Sequence, residues 1–286
     1  MIDLLLSVLF ASSLFVILKY FERFQINNFQ AIVVNYFVAF FMGFLLSDEM
    51  VSVSFIVTKS WFFGSVILGI LFITIFNVTA LIAQKGGLSV ASVTGKMSLV
   101  IPVLFGIIVY KESFSVFKLI GFILALLAVF LTSKKSNGVE FNKSILLLTF
   151  ILFLGAGIID TLVKYIEKNY VATDELIYYI ATTFLIAGSI GITILIYQLI
   201  FKKKSILFKN IVGGIVLGIP NYFSLYFLIK ALQHQTLESS TVFTINNVLI
   251  VLVTSLLGIV LFKEYLSVKN KIGILLSIIA IMMFYI

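Results

Sequence analysis

The feature that most constrains this chain is a train of apolar runs, each about as long as a bilayer is thick, separated by short polar punctuation. The runs read 3–20, 29–46, 61–83, 88–110, 115–133, 144–166, 174–200, 210–232, 237–262 and 267–286. Among the interruptions are Lys19-Tyr20-Phe21-Glu22-Arg23, Asp48-Glu49, Lys85-Gly86-Gly87, Lys134-Lys135-Ser136-Asn137-Gly138, Lys202-Lys203-Lys204 and Gln233-His234-Gln235. A helix crossing the hydrocarbon core needs ~20 apolar residues, so ten crossings consume roughly 200 and leave only short loops. Backbone groups in lipid must be bonded within their own segment, which selects helices. The apolar/polar alternation of a membrane barrel is absent. The expected fold is an all-α membrane protein with ten transmembrane helices.

Composition agrees. The 286 residues are 62% hydrophobic and 11% charged, where a soluble domain is ~45–50% apolar and ~25% charged. The net charge of +8 does not point to nucleic acid, because the lysines lie scattered at the borders of the runs, the ordinary membrane pattern. No cysteine is present, which excludes disulfides, iron–sulfur clusters and thiolate metal sites. A single histidine, His234, argues against a dedicated zinc centre. Residues 4–20 lack a basic region ahead of them, Asp3 being the early charge, so they read as a retained first span rather than a cleaved leader. No HExxH, GxSxG or acidic metal cluster appears, so the expectation is no enzyme, no metal and no cofactor.

An internal repeat organises the runs. At a shift of 152 residues, Gly106, Lys111-Glu112, Ser115-Val116, Ile120-Gly121 and Ala128 fall on Gly258, Lys263-Glu264, Ser267-Val268, Ile272-Gly273 and Ala280. At 145, Lys19-Tyr20 and Glu22 fall on Lys164-Tyr165 and Glu167; at 149, Gln84, Leu88 and Val93 fall on Gln233, Leu237 and Val242. The halves are 1–136 and 137–286, with five spans each. Five is odd, so the second half starts on the opposite side of the membrane. Such inverted repeats are common in secondary transporters, whose substrates bind near the midplane between them. Pro102, Gly106, Lys111-Glu112 and Gly121, with Gly258, Lys263-Glu264 and Gly273, resemble the EamA-like transporters of the drug/metabolite transporter superfamily. In that pattern a helix ends in an acidic residue, turns, and is followed by a glycine-containing last helix. Thr254 stands where Pro102 would repeat. The resemblance implies two EamA-like repeats around a cavity exposed alternately to each side, moving amino acids, nucleotide sugars, drugs or other metabolites.

Candidate site residues are the polar groups inside the runs. Lys96 sits mid-run; an ionisable group there costs ~2.5 kcal/mol or more and usually faces a cavity or a partner. It suits a substrate carboxylate or phosphate, or else snorkels or pairs internally. Asn246 and Asn247 occupy the equivalent depth of the second half and can bind substrate or glue helices. Pro220-Asn221-Tyr222 interrupts the eighth run, either as part of a broken-helix site or as a packing kink. Asn35, Tyr36, Tyr178 and Tyr179 are further pathway candidates, although tyrosines also settle at interfaces. Asp160 and Lys164 share a helix face, as a proton-coupling carboxylate with its partner or as a local ion pair. Lys111-Glu112 and Lys263-Glu264 end helices as gates or as anchors of turns.

The inverted repeat and the polar residues at equivalent depth lead to the expected function: secondary active transport, in the export direction, of a small polar or amphipathic metabolite, amino-acid-like or another organic solute, by alternating access. The expected setting is the cytoplasmic membrane of a bacterium, with the lipid bilayer, a small-molecule substrate and a coupling proton as partners. The rivals are a lipid or lipid-linked sugar flippase of the same fold and a non-transporting membrane partner or sensor. Odd-numbered loops carry more lysine, which by the positive-inside rule puts both termini outside; the resemblance favours both inside.

Overall fold

A computed structural model describes residues 2–46, 53–111, 115–133, 143–202, 205–233 and 239–283. Glu112, His234 and the Asp48-Glu49 and Lys134–Gly138 interruptions lie outside the described residues.

Each apolar run of the sequence holds a helix among the described residues: α1 (Ile2–Arg23), α2 (Asn28–Leu45), the short α3 (Val53–Val57) between runs, α4 (Phe62–Lys85), α5 (Leu88–Met97), α6 (Val100–Tyr110), α7 (Val116–Ser133), α8 (Lys143–Tyr170), α9 (Leu176–Lys202), α10 (Phe208–Gln233), α11 (Ser239–Phe262) and α12 (Val268–Met283). Among the described residues, eight stretches are long and apolar enough to cross a membrane, the α5–α6 pair counting as one, and α7 is a shorter apolar helix. The chain is therefore an all-helical, multi-pass membrane protein.

The fourth run is not one helix. α5 stops at Met97 and α6 starts at Val100. Pro102 supplies the reason: it has no N–H to give the carbonyl four residues back, and its ring crowds that carbonyl. The carbonyl belongs to Ser98, and the Ile101 N–H takes it instead at 2.9 Å, one residue short of α-helical spacing. Pro220 behaves differently. The sequence reading has it interrupt the eighth run, but α10 continues through it from Phe208 to Gln233. Membrane helices tolerate such a proline where neighbours and local adjustment satisfy the freed group.

Two compact units emerge. The first comprises Met1–Tyr20, Val78–Ile158 and Phe223–Ile286; the second comprises Phe21–Asn77 and Ile159–Tyr222. In the first, α7 packs most extensively on α12, and α5 packs on α11. Its core gathers Val93, Met97, Val100, Ala125, Ala128, Val251 and Ala280. Gly273 brings α12 close to α7, since a Cβ there would stand 3.0 Å from the Ala128 carbonyl oxygen. In the second, α2 packs most extensively on α9. Lipid gives helices no hydrophobic reason to associate, so small residues that allow close approach do this work. Gly188 of α9 fits against Phe37, and Gly214 and Gly218 of α10 fit against α2.

The matched helix ends share a backbone shape. Lys111 and Lys263 both adopt left-handed conformations, with φ of 53° and 51°. The Lys111 N–H bonds to the Gly106 carbonyl, and the Glu264 N–H bonds to the Gly258 carbonyl. Ser115 then caps α7, accepting from the Lys118 N–H at 3.2 Å. Ser267 caps α12, accepting from the Asn270 N–H, while Asn270 Oδ1 accepts from the Ser267 N–H at 3.0 Å. That reciprocal pair is a capping box. Asn270 also donates to the Thr132 carbonyl at 2.8 Å, fastening α12 to the end of α7.

Candidate functional site

The polar groups of the first unit concentrate on α5 and α11. In α5 the side chains of Ser89, Ser92 and Thr94 are all buried. Ser92 returns its hydroxyl to its own helix, at the Ser89 carbonyl, the usual retreat of a hydroxyl in an apolar setting. Ser89 and Thr94 do not, and neither does Ser255 of α11: their buried hydroxyl oxygens have no hydrogen-bond partner among the described residues. A buried hydroxyl left unsatisfied costs ~1–3 kcal/mol. Lys96 occupies the last turn of α5, half-buried, immediately before the break that Pro102 causes. Asn246 and Asn247 are both buried on α11. Ser7 of α1 donates to Asn246 Oδ1 at 3.2 Å or to the Ser224 carbonyl of α10 at 3.0 Å. Three helices thus meet through one hydroxyl that the sequence reading passed over.

The second unit brings two predicted residues together. Asn221 Nδ2 donates to Asn35 Oδ1 at 3.1 Å, joining α10 to α2 one residue after Pro220. Tyr222 is buried and lies against Gly43. Tyr36 is buried with its ring stacked on Phe184. Tyr179 is buried edge-on to Trp61, and its phenol oxygen has no partner among the described residues. Asp160 and Lys164 stand one turn apart on α8, both exposed.

Several polar ties were not foreseen. Asn27 caps α2, accepting from the Gln30 N–H at 3.1 Å. Gln30 donates to the Ser205 carbonyl and accepts from Asn210. The Asn27-x-x-Gln30 spacing was a readable capping signal. Lys59 and Trp61 both bond Glu175, the indole N–H at 2.8 Å. Glu175 lies in the 3₁₀ turn Thr173–Glu175 ahead of α9. The hydrogen bonds from Lys59 and Trp61 hold its carboxyl below the usual carboxylate value.

That shift has a sign. A carboxyl depressed in the folded state adds stability above its unfolded value, and the contribution is lost as pH falls through the folded one. Thermal melts in detergent are expected to show stability falling as the pH drops through and below the ordinary carboxylate range, with a flatter profile in Glu175→Gln. Identical profiles would contradict the assignment.

No known family model matches the sequence. A crystal structure of another protein superposes with a TM-score of 0.60, covering 97% of this chain and 96% of that one at 13% identity, a likeness of fold. An uncharacterized protein of Haemophilus influenzae is 30% identical over 291 residues, spanning 99% of this chain and 97% of that one. With the match running nearly end to end in both, this chain belongs to the same family as that Haemophilus influenzae protein.

Proposed function

We propose that the chain is a secondary active transporter of a small polar or amphipathic metabolite, of the EamA-like, drug/metabolite transporter kind, in the cytoplasmic membrane of a bacterium. The observation that carries this reading is the buried polar surface of α5 and α11. The buried Ser89, Thr94 and Ser255 hydroxyls, without a partner among the described residues, and the buried Asn246 and Asn247 persist there in a chain that is otherwise overwhelmingly apolar. Polar groups inside membrane helices are costly and tend to mark substrate pathways.

Ten spans arranged as two inverted repeats, 1–136 and 137–286, are part of the same proposal. The packing of repeat mates supports it: α2 on α9, α5 on α11 and α7 on α12. The paired left-handed lysines support it too. In this reading Lys96, Asn246 and Asn247 are the substrate-binding candidates of the first unit, and Asn35, Asn221, Tyr222 and Tyr179 are those of the second, each set taken by itself. Asp160 and Lys164 serve as a local ion pair or in proton coupling, and the two Lys-Glu corners serve the helix ends as anchors or gates.

Purified protein in liposomes is expected to take up one member of a broad metabolite panel. Lys96→Ala is expected to lower that uptake by about tenfold or more, the worth of one charge-assisted hydrogen bond. Uptake of nothing across the panel sinks the transport reading, and unaltered uptake in the variant removes Lys96 from the site. A lipid or lipid-linked sugar flippase is the second reading. An apolar crevice of about 140 Å³ beside α6 and α7, lined by Val103, Leu104, Ile107 and Phe122 with Lys118 among them, favours it. Scrambling of labelled lipid without metabolite uptake selects it.

A further inference from the structure

We infer that Glu264 is a latch on the N-terminus of α5, and through α5 a positioning residue for transport; the second clause rests on the transport reading above. Both carboxylate oxygens of Glu264 accept the Leu88 N–H, at 2.9 and 3.2 Å. A carboxylate there satisfies an orphan donor and meets the positive end of the helix dipole. Lys19 Nζ stands 3.7 Å from Glu264 Oε1 and donates to the Gln84 carbonyl at 2.7 Å. Gln84 in turn donates its side-chain amide to the Leu18 carbonyl at 2.9 Å. The ends of α1, α4 and α11 are thereby tied to the start of α5, all within the first unit.

The seat is shaped for the carboxylate. A Cβ at Gly87 would lie 2.9 Å from Glu264 Oε2, and one at Gly258 would lie 2.6 Å from it. Gly87 also has φ of 104°, a conformation side chains rarely adopt. Two glycines, Gly87 and Gly258, leave room for this acid.

A separate observation comes from the repeat. Lys19, Gln84, Leu88, Gly258 and Glu264 have the mates Lys164, Gln233, Leu237, Gly106 and Glu112, identical in type; Gly87 departs, facing Thr236. The chain holds only 12 acidic residues, so chance alignment of the acid together with its cation and amide is a poor account. Leu237 and Glu112 lie outside the described residues, and the inference concerns Glu264 alone.

The test uses the absence of native cysteine. Ser89→Cys places a thiol in the first turn of α5 at a site 2% exposed. Reaction with a membrane-impermeant maleimide is measured on substrate-free protein in liposomes. Glu264→Gln and Lys19→Gln are each expected to speed labelling by about tenfold, as loss of a charge-assisted bond implies, while Lys19→Arg leaves it slow. A second reporter, Thr182→Cys on α9 in the other unit, is expected to keep its rate.

Unchanged labelling at Ser89→Cys overturns the latch, and so does equal acceleration at both reporters, which is general loosening. If Glu264→Gln does not fold, the Lys19→Gln and Lys19→Arg contrast decides alone. Labelling needs no transport. Altered labelling without uptake of any metabolite therefore leaves the latch and sinks the transport reading, and the reverse result sinks the latch only.

Discussion

Leucine at Gly218 is expected to prevent folded protein from accumulating. α10 approaches α2 through Gly214 and Gly218, one helical turn apart on the same face. A Cβ at Gly218 would stand 2.6 Å from Val38 Cβ and 2.8 Å from the Asn35 carbonyl oxygen. One at Gly214 would stand 2.4 Å from Val34 Cβ and 2.6 Å from the Ala31 carbonyl oxygen. Two of those four neighbours are backbone, which cannot swing aside as a side-chain tip does. The helices must part, and the Asn221–Asn35 hydrogen bond parts with them. Overpacking costs ~1–3 kcal/mol in general, and steric conflict with backbone belongs at or above the top of that range. Size-exclusion profiles and melts in detergent measure the loss. A monodisperse peak with an unchanged melting temperature would mean that α2 and α10 do not meet as described.

Trp61→Ala is expected to cost ~3–5 kcal/mol, the usual range for emptying a buried aromatic site. Trp61 is fully buried among Leu68, Ile166 and Tyr179, and its indole N–H reaches Glu175. Phenylalanine at the same position refills much of the volume and loses only the hydrogen bond, for which ~1.5–3 kcal/mol is the expectation with a charged acceptor. The order wild type, Phe, Ala in melting temperature is the result that supports the packing. Equal melting of the Phe and Ala variants would mean that the indole N–H, rather than its volume, holds this corner.

The helices were legible because length and polarity carry the signal: a run long enough to cross lipid with no polar backbone partner nearby has one economical conformation. The two prolines show where that logic thins. Pro102 breaks its run and Pro220 does not, although both sit inside apolar sequence. What differs is the surroundings, and sequence displays only the chain's own neighbours.

The polar residues divide the same way. Asn35 and Asn221 stood out singly as amides in apolar runs, and α2–α10 packing brings them together. Ser7 drew no notice because a serine in a helix is unremarkable until Asn246 stands beside it. Lys19, Gln84 and Glu264 each appeared in the repeat alignment, opposite their mates. An alignment pairs a residue with its counterpart and says nothing of the residue it touches. Lys59 lay in punctuation between runs, where charge is ordinary, and Trp61 and Glu175 stood at the very start of their runs, where border residues draw no notice.

The interrupted fourth run has a mechanical consequence. α5 is a rod of ten residues, about 15 Å long at 1.5 Å per residue. It is bounded at one end by a glycine of positive φ and at the other by the slipped turn before Pro102. At both ends the ladder of intrahelical bonds is interrupted, so a displacement of this rod would not have to unwind α4 or α6. Leu88 and Lys96 then belong to one short rigid segment, the first held by Glu264 and the second beside the slipped turn.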